Sequence, residues 1–152
     1  QHICKQEDFF TCLPGFTIEK DDRGCLVIQD NPISERLVTN DIIELMNDRQ
    51  FKWLGRLDFV INSGGIKISP EQVEFKLAHL FPSRAYFIHG RESAIFGQEV
   101  VLYIEGEEST KETVLQVDLA TILATYERPK AIVFVPIFER TSTGKILRKN
   151  YR

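Results

Sequence analysis

A chain of 152 residues with 43% hydrophobic and 27% charged residues suffices for one domain or two small ones, and needs neither disulfides nor metal to hold a core. That balance excludes a disordered chain. The net charge of −3, from 19 basic and 22 acidic residues, gives no global field that would recruit nucleic acid or anionic lipid.

The first residues, Gln1–His2–Ile3–Cys4–Lys5, lack the basic-then-apolar pattern of a signal peptide. They also lack a starting Met, which points to a processed or excised piece. Cys4, Cys12 and Cys25 are spaced for neither a disulfide framework nor a zinc site, so no metal is expected. They read as reduced thiols of a cytoplasmic protein, and the absence of an N-x-S/T acceptor agrees. No apolar run approaches the roughly 18–20 residues of a membrane span.

In chain order, Phe16–Lys20 and Cys25–Gln29 alternate apolar and polar residues around Asp21–Asp22–Arg23–Gly24, which predicts a hairpin. Ile42–Met46 and Phe51–Leu54 flank Asn47–Asp48–Arg49–Gln50 and predict a second. Around Gly55 the pattern changes. Leu57–Ile61 is predicted as a strand, Asn62–Ser63–Gly64–Gly65 as a glycine turn, and Ile66–Lys67–Ile68 as the return strand. Ser69 is a plausible N-cap before Pro70. Val73, Leu77, Leu80 and Phe81 then share one helical face. Alternation returns at Arg84–His89 and Gln98–Glu105. Leu115, Leu119, Ile122 and Tyr126 mark a second amphipathic helix, and Ala131–Val135 is an apolar strand. The order after Gly55 is ββ-α-β-β-α-β, an α+β module with a small sheet and two helices. It follows about fifty β-rich residues, across a boundary near Leu54–Asp58 short enough to act as a hinge.

Most catalytic templates are absent, HExxH, G-x-S-x-G and Cys-x-x-Cys among them. Thr141–Ser142–Thr143–Gly144–Lys145 looks like the tail of a phosphate-binding P-loop. However, Glu139 stands where that motif needs glycine, and only seven residues follow Lys145. What remains is either a solvated terminal loop or a hydroxyl-rich loop that sets a mobile ammonium on a phosphate or carboxylate. Arg140, Lys145, Arg148, Lys149 and Arg152 make the tail basic, with Tyr151 the one aromatic among them. A nucleic-acid surface has interleaved aromatics and a basic domain behind it, so nucleic acid is not the expected partner. Gly64–Gly65 serves either the hairpin alone or a ligand passing close to the backbone. Asp41 is a surface carboxylate or an acid for ribose hydroxyls, and Arg56 with Asp58 is a surface pair or part of a site.

Taken in order, the segments become specific. They are Thr39–Asn40–Asp41, Phe51 to Asp58 (FKWLGRLD), Val60 to Glu74 (VINSGGIKISPEQVE), Arg128–Pro129–Lys130, and Arg140 to Arg148 (RTSTGKILR). This series resembles the C-terminal end of the adenylate-forming superfamily, which contains acyl-CoA synthetases, luciferases and peptide-synthetase adenylation domains. The likeness runs from about residue 13 to the last residue. INSGG and LVTND most resemble the o-succinylbenzoate–CoA ligase branch, in menaquinone biosynthesis.

The resemblance implies an AMP-forming carboxylic acid–CoA ligase with ATP, Mg2+ and CoA as co-substrates of the intact enzyme. It implies residues 1–55 as the β-rich end of a large N-terminal domain, 56–58 as the hinge, and 59–152 as a mobile C-terminal lid domain. Asp41 matches the acid that holds the ribose of ATP, and Arg56 an arginine that reaches the nucleotide. Asp58 matches the hinge about which the lid turns. Lys145 matches the catalytic lysine of adenylation. Gly64 and Gly65 match the turn that lines the pantetheine path of CoA. Asn40 stands where the family usually has glycine, Asn62 where many members have lysine, and Lys67 where arginine is common. The Ser/Thr/Gly-rich phosphate loop does not occur in this chain. The fragment is therefore expected to be inactive alone, with the missing N-terminal domain as its partner. Two other readings stand at this point: a superfamily member with a different acid substrate, and a free-standing phosphate- or nucleic-acid-binding module.

Overall fold

The computed structural model describes residues 9–30, 35–107 and 119–151. Cys4, Leu115 and Arg152 of the sequence reading lie outside that set. The chain forms two compact units, one ending at Asp58 and the other beginning at Phe59.

The first unit is a five-stranded antiparallel sheet. Its strands are β1 (Phe10–Thr11), β2 (Phe16–Lys20), β3 (Cys25–Asp30), β4 (Leu37–Leu45) and β5 (Gln50–Arg56), in the order β1-β5-β4-β3-β2. Both hairpins close on side chains that mimic backbone. The Asp21 carboxylate accepts the Arg23 and Cys25 N–H groups at 2.9 and 2.8 Å, with Gly24 at φ +83° completing the turn. These bonds, that from Cys25 foremost, hold the Asp21 carboxyl below its ordinary range. At the other hairpin, Asn47 Oδ1 accepts the Arg49 N–H at 2.9 Å, an Asx turn. Strand β4 starts five residues earlier than the alternation implied, at Leu37. It also carries an irregularity: Ile42 faces Gly55, yet Ile43 faces Trp53. One residue, Leu54, is therefore extra on β5, and a bulge of this kind adds local twist.

The second unit comprises β6 (Ile61–Ser63), β7 (Ile66–Ile68), α1 (Pro70–Leu77), β8 (Tyr86–Ser93), β9 (Gly97–Glu105) and β10 (Ala131–Val135). The strand expected over 57–61 is instead a 3-10 turn at Leu57–Phe59 followed by β6. Arg56 binds Asp58 of that turn through Nε and Nη2. Strand β9 is the centre of the sheet. It pairs with β8 antiparallel along one edge, and with β10 in parallel and β6 on the other.

Alternation along β8 and β9 gives this sheet two apolar faces. Ile88, Val100, Leu102 and Ile104 pack with Val73 and Leu77 of α1. Phe87, Val101 and Tyr103 pack on the opposite face with Phe138, Ile146 and Tyr151. Phe87 and Tyr103 stack at 5.0 Å, and Tyr151 meets Phe87, Tyr103 and Phe138 edge-on. The C-terminal segment is thus the second cover of the sheet, with a 3-10 turn at Arg148–Asn150 as its one helical element among the described residues.

Helix α1 begins where the Ser69–Pro70 pair predicts. The Ser69 hydroxyl donates to Glu71 at 3.2 Å and makes no capping bond. The helix ends at Leu77, and a 3-10 turn (Ala78–Leu80) carries the chain to buried Phe81. The second helix is corrected over the described residues: there is a single 3-10 turn at Leu119–Thr121, and Tyr126 is exposed rather than on an apolar face. Side chains take the backbone groups a longer helix would use. Arg128 donates to the Leu123 and Ala120 carbonyls, and Glu127 accepts the Ala124 N–H at 3.0 Å. Glu127 is itself held by Lys76 of α1 at 2.6 Å. Among the described residues α1 is therefore the one α-helix.

Candidate functional site

In the first unit, β4 and β5 place Asp41 and Arg56 directly opposite each other in the antiparallel register. Arg56 lies between two carboxylates. Its Nε and Nη2 donate to Asp58 at 3.0 and 3.3 Å, while Nη1 lies 3.7 Å from Asp41. Trp53 Nε1 donates to the same Asp41 oxygen at 3.3 Å. Behind Asp41, Thr39 Oγ1 accepts its N–H at 3.1 Å. Arg23 reaches the Thr39 carbonyl at 2.9 Å and Asn40 Oδ1 at 3.2 Å. Asp41 is about a third exposed, so its carboxylate is oriented but remains accessible. A fixed carboxylate of this kind accepts hydroxyl groups well.

In the second unit, Gly64 and Gly65 are the two central residues of the β6–β7 hairpin, between the paired Ser63 and Ile66. Their φ values of +59° and +84° are those of a two-residue turn that needs positive φ twice. The Gly64 N–H donates to the Phe96 carbonyl at 2.8 Å, which ties the turn to the β8–β9 loop. A Cβ at Gly65 would meet nothing within 4 Å, so the outer side of the turn is bare backbone.

Lys145 lies on a tight loop beside the aromatic cluster. An antiparallel bridge joins Arg140 to Ile146. The Thr141 N–H donates to the Lys145 carbonyl at 2.8 Å, and the Gly144 N–H to the Thr141 carbonyl at 2.9 Å. Thr141 Oγ1 accepts the Lys145 N–H at 3.1 Å and pairs with Thr143 Oγ1 at 2.9 Å. The backbone of Lys145 is therefore held from both sides. Its ammonium is exposed and has no hydrogen-bond or ion-pair partner among the described residues.

The rest of the basic tail does different work. Arg140 binds Glu105 through two bonds, at 2.6 and 2.7 Å, and Glu105 also accepts the Phe138 N–H at 2.7 Å. The Arg140 bond, then the Phe138 N–H, hold the Glu105 carboxyl down at about 2. Arg148 binds Glu74 of α1 at 2.8 and 2.9 Å and lies over the Phe59 and Phe87 rings. Burial pushes the Glu74 carboxyl up, against the pull of Arg148 and the Ile88 N–H. Of the basic residues read as one cluster, two are thus spent on carboxylates. The sequence reading missed Glu74, Glu105 and Trp53. No local pattern links Trp53 to Asp41, 12 residues away, or the two glutamates to arginines far along the chain.

Among the described residues no group of three or more His, Cys, Asp or Glu side chains could hold a metal ion, and no helix is long and apolar enough to cross a membrane. Cys12 and Cys25 are free thiols.

No protein-family model matches the chain. Individual relatives do. The medium-chain acyl-CoA ligase Mig of Mycobacterium avium is 38% identical over 100 residues, covering 64% of this chain and 18% of its own length. The 2-succinylbenzoate–CoA ligase of Lactococcus lactis is 31% identical over 121 residues, covering 80% of this chain and 26% of its own length. Among solved structures, an acyl-CoA synthetase (AMP-forming)/AMP-acid ligase II-like protein from Dyadobacter fermentans shares 34% identity at TM-score 0.56, over 95% of this chain and 43% of that one. The o-succinylbenzoate CoA synthetase of Bacillus subtilis, in complex with the acyl-adenylate intermediate OSB-AMP, aligns at TM-score 0.72 and 21% identity, over 92% of this chain and 34% of that one. The chain spans about a quarter or less of these curated relatives. By sequence and by fold, it belongs to the family of AMP-forming acyl-CoA ligases.

Proposed function

We propose that this chain is the C-terminal part of an AMP-forming carboxylic acid–CoA ligase, and that Lys145 supplies the positive charge of its first step. The observation that carries the reading is the Lys145 loop: a braced backbone, the hydroxyl groups of Thr141 and Thr143 just before it, and an ammonium left uncommitted. In that step a substrate carboxylate attacks the α-phosphorus of ATP, forming acyl-adenylate and releasing pyrophosphate. Two anions approach each other, so the barrier is chiefly electrostatic, and a cation placed in a water-poor site lowers it most. In the second step the thiol of CoA attacks the acyl carbonyl and AMP leaves.

The remaining residues take roles consistent with their chemistry. Asp41, oriented by Trp53 and Thr39, accepts ribose hydroxyls of the nucleotide. Arg56, already beside Asp41 and Asp58, reaches the nucleotide. Residues 56–58 form the hinge, and rotation about Asp58 withdraws Lys145 and presents the bare Gly64–Gly65 turn to pantetheine. Mg2+ enters with ATP. The large N-terminal domain that binds most of the substrate lies elsewhere in the intact protein. The acid is o-succinylbenzoate on this reading, supported by two 2-succinylbenzoate–CoA ligases among the relatives. Medium-chain and acetyl-CoA ligases match as well, so a screen of acids against the full-length enzyme decides the substrate.

Lys145→Ala in the full-length enzyme is the direct test. Loss of one such charge lowers a rate by about 10²–10³-fold. The expected result is that ATP–pyrophosphate exchange falls by that order while thioester formation from supplied acyl-adenylate is spared. Equal loss of both half-reactions removes Lys145 from the role.

A further inference from the structure

We propose that Glu105 and Glu74 are positioning residues for Lys145, each acting through an arginine that holds one end of its loop. The proposal rests on the reading of Lys145 given above. Arg140 stands at the start of the loop and Arg148 just past its end, and both are joined to carboxylates by paired bonds of 2.6–2.9 Å. The two carboxylates belong to different elements of the sheet-and-helix core. Glu105 ends the central strand β9, and Glu74 lies in α1.

Each carboxylate is also fixed by backbone. Glu105 accepts the Phe138 N–H and Glu74 the Ile88 N–H, at 2.7 and 2.8 Å. The arginines therefore bind partners that cannot drift. Bidentate guanidinium–carboxylate pairs set angle as well as distance, which a single lysine contact would not. Between the two mounts, the Leu147 N–H donates to the Glu139 carbonyl at 2.9 Å, and Tyr151 accepts the Glu139 N–H at 2.7 Å. Lys145 is left as a long flexible side chain on a backbone with little freedom.

That arrangement has a chemical use. A lysine has high rotamer entropy, and displacing a reacting group by about 1 Å can cost on the order of 100-fold in rate. Fixing the backbone at both ends limits the volume the ammonium explores without occupying the ammonium itself. A cation paired directly with a glutamate would be held as well, but would be neutralised. The mounts pair the negative charges with Arg140 and Arg148, at the two ends of the loop, so they hold the backbone and leave the Lys145 charge unpaired.

The test uses the full-length enzyme carrying Glu105→Gln, with Arg140→Lys as a second variant that keeps the charge and loses the paired geometry. We expect ATP–pyrophosphate exchange to fall about 10–100-fold in each, with thioester formation from supplied acyl-adenylate unchanged within about twofold. In a Lys145→Ala background, adding Glu105→Gln should change exchange no further, because a residue that acts through Lys145 has nothing left to position. Amide exchange over 141–147 should rise in both single variants, whatever Lys145 does chemically. A Glu105→Gln penalty that persists undiminished on Lys145→Ala, or unchanged amide exchange over the loop, overturns the positioning role. If Lys145→Ala leaves exchange intact while Glu105→Gln still loosens the loop, the lysine assignment has failed and the mount has no catalytic object.

Discussion

Arg140 and Lys145 carry the same charge five residues apart, and the structure uses them in opposite ways. Arg140 is consumed by Glu105, whereas Lys145 keeps an open ammonium. The consequence is measurable through pH. The Glu105 carboxyl ordinarily titrates near 4.5 and is held at about 2 in the folded chain. A depressed carboxyl stabilises the fold above its unfolded pKa, and that contribution disappears as pH falls through the folded value. Acid destabilisation attributable to this pair is therefore confined to the interval from about 4.5 down to about 2. Denaturant midpoints measured from pH 7 to 2.5 should drop in that interval, and more shallowly in Glu105→Gln than in the unsubstituted chain. Identical acid limbs would show that the pair contributes nothing to stability. None of this was legible locally, because Glu105 and Arg140 are 35 residues apart and their pairing depends on where β9 ends.

At the scale of elements, the hairpins were legible because each is a local event. Asp21 and Gly24 close one turn and Asn47 another through bonds spanning a few residues, and Gly64 with Gly65 makes a third by positive φ between the paired Ser63 and Ile66. Over the described residues the second amphipathic helix is absent for the complementary reason. Its spacing is helical, but Arg128 and Glu127 claim backbone groups in the 120s, and such competition is invisible to periodicity. The turn and the core make contrasting predictions. Gly65→Ala adds a Cβ that meets no neighbour, so its cost is the strain of φ +84° alone, about 1–2 kcal/mol. Leu102→Ala empties a fully buried position in β9 and should cost about 2–5 kcal/mol. Chemical denaturation should rank them in that order, and a larger loss for Gly65→Ala would place an unseen constraint on the turn.

At the scale of the whole molecule, the open question is sufficiency. The chain carries an oriented acid, a guanidinium between two carboxylates, a bare glycine turn and an uncommitted lysine, yet spans only 18–26% of the acyl-CoA ligases from Mycobacterium avium and Lactococcus lactis. On the proposed reading this polypeptide alone supports no ATP–pyrophosphate exchange, and adding the remainder of the enzyme restores it. Exchange by the 152 residues by themselves would mean that they bind ATP and acid unaided, and would end that reading.

By itself the sequence determined the turns and hairpins, the positions of the charged residues, and the ordered segments that tie the chain to a family. Those depend on composition and on contacts within a few residues. Only the tertiary structure decided which charges stay available. Arg140 and Arg148 are neutralised by Glu105 and Glu74, Asp41 is oriented by Trp53, and the C-terminal segment covers the second face of the sheet. Charge is a property of the residue, but whether it is spent is a property of the neighbours the fold brings to it.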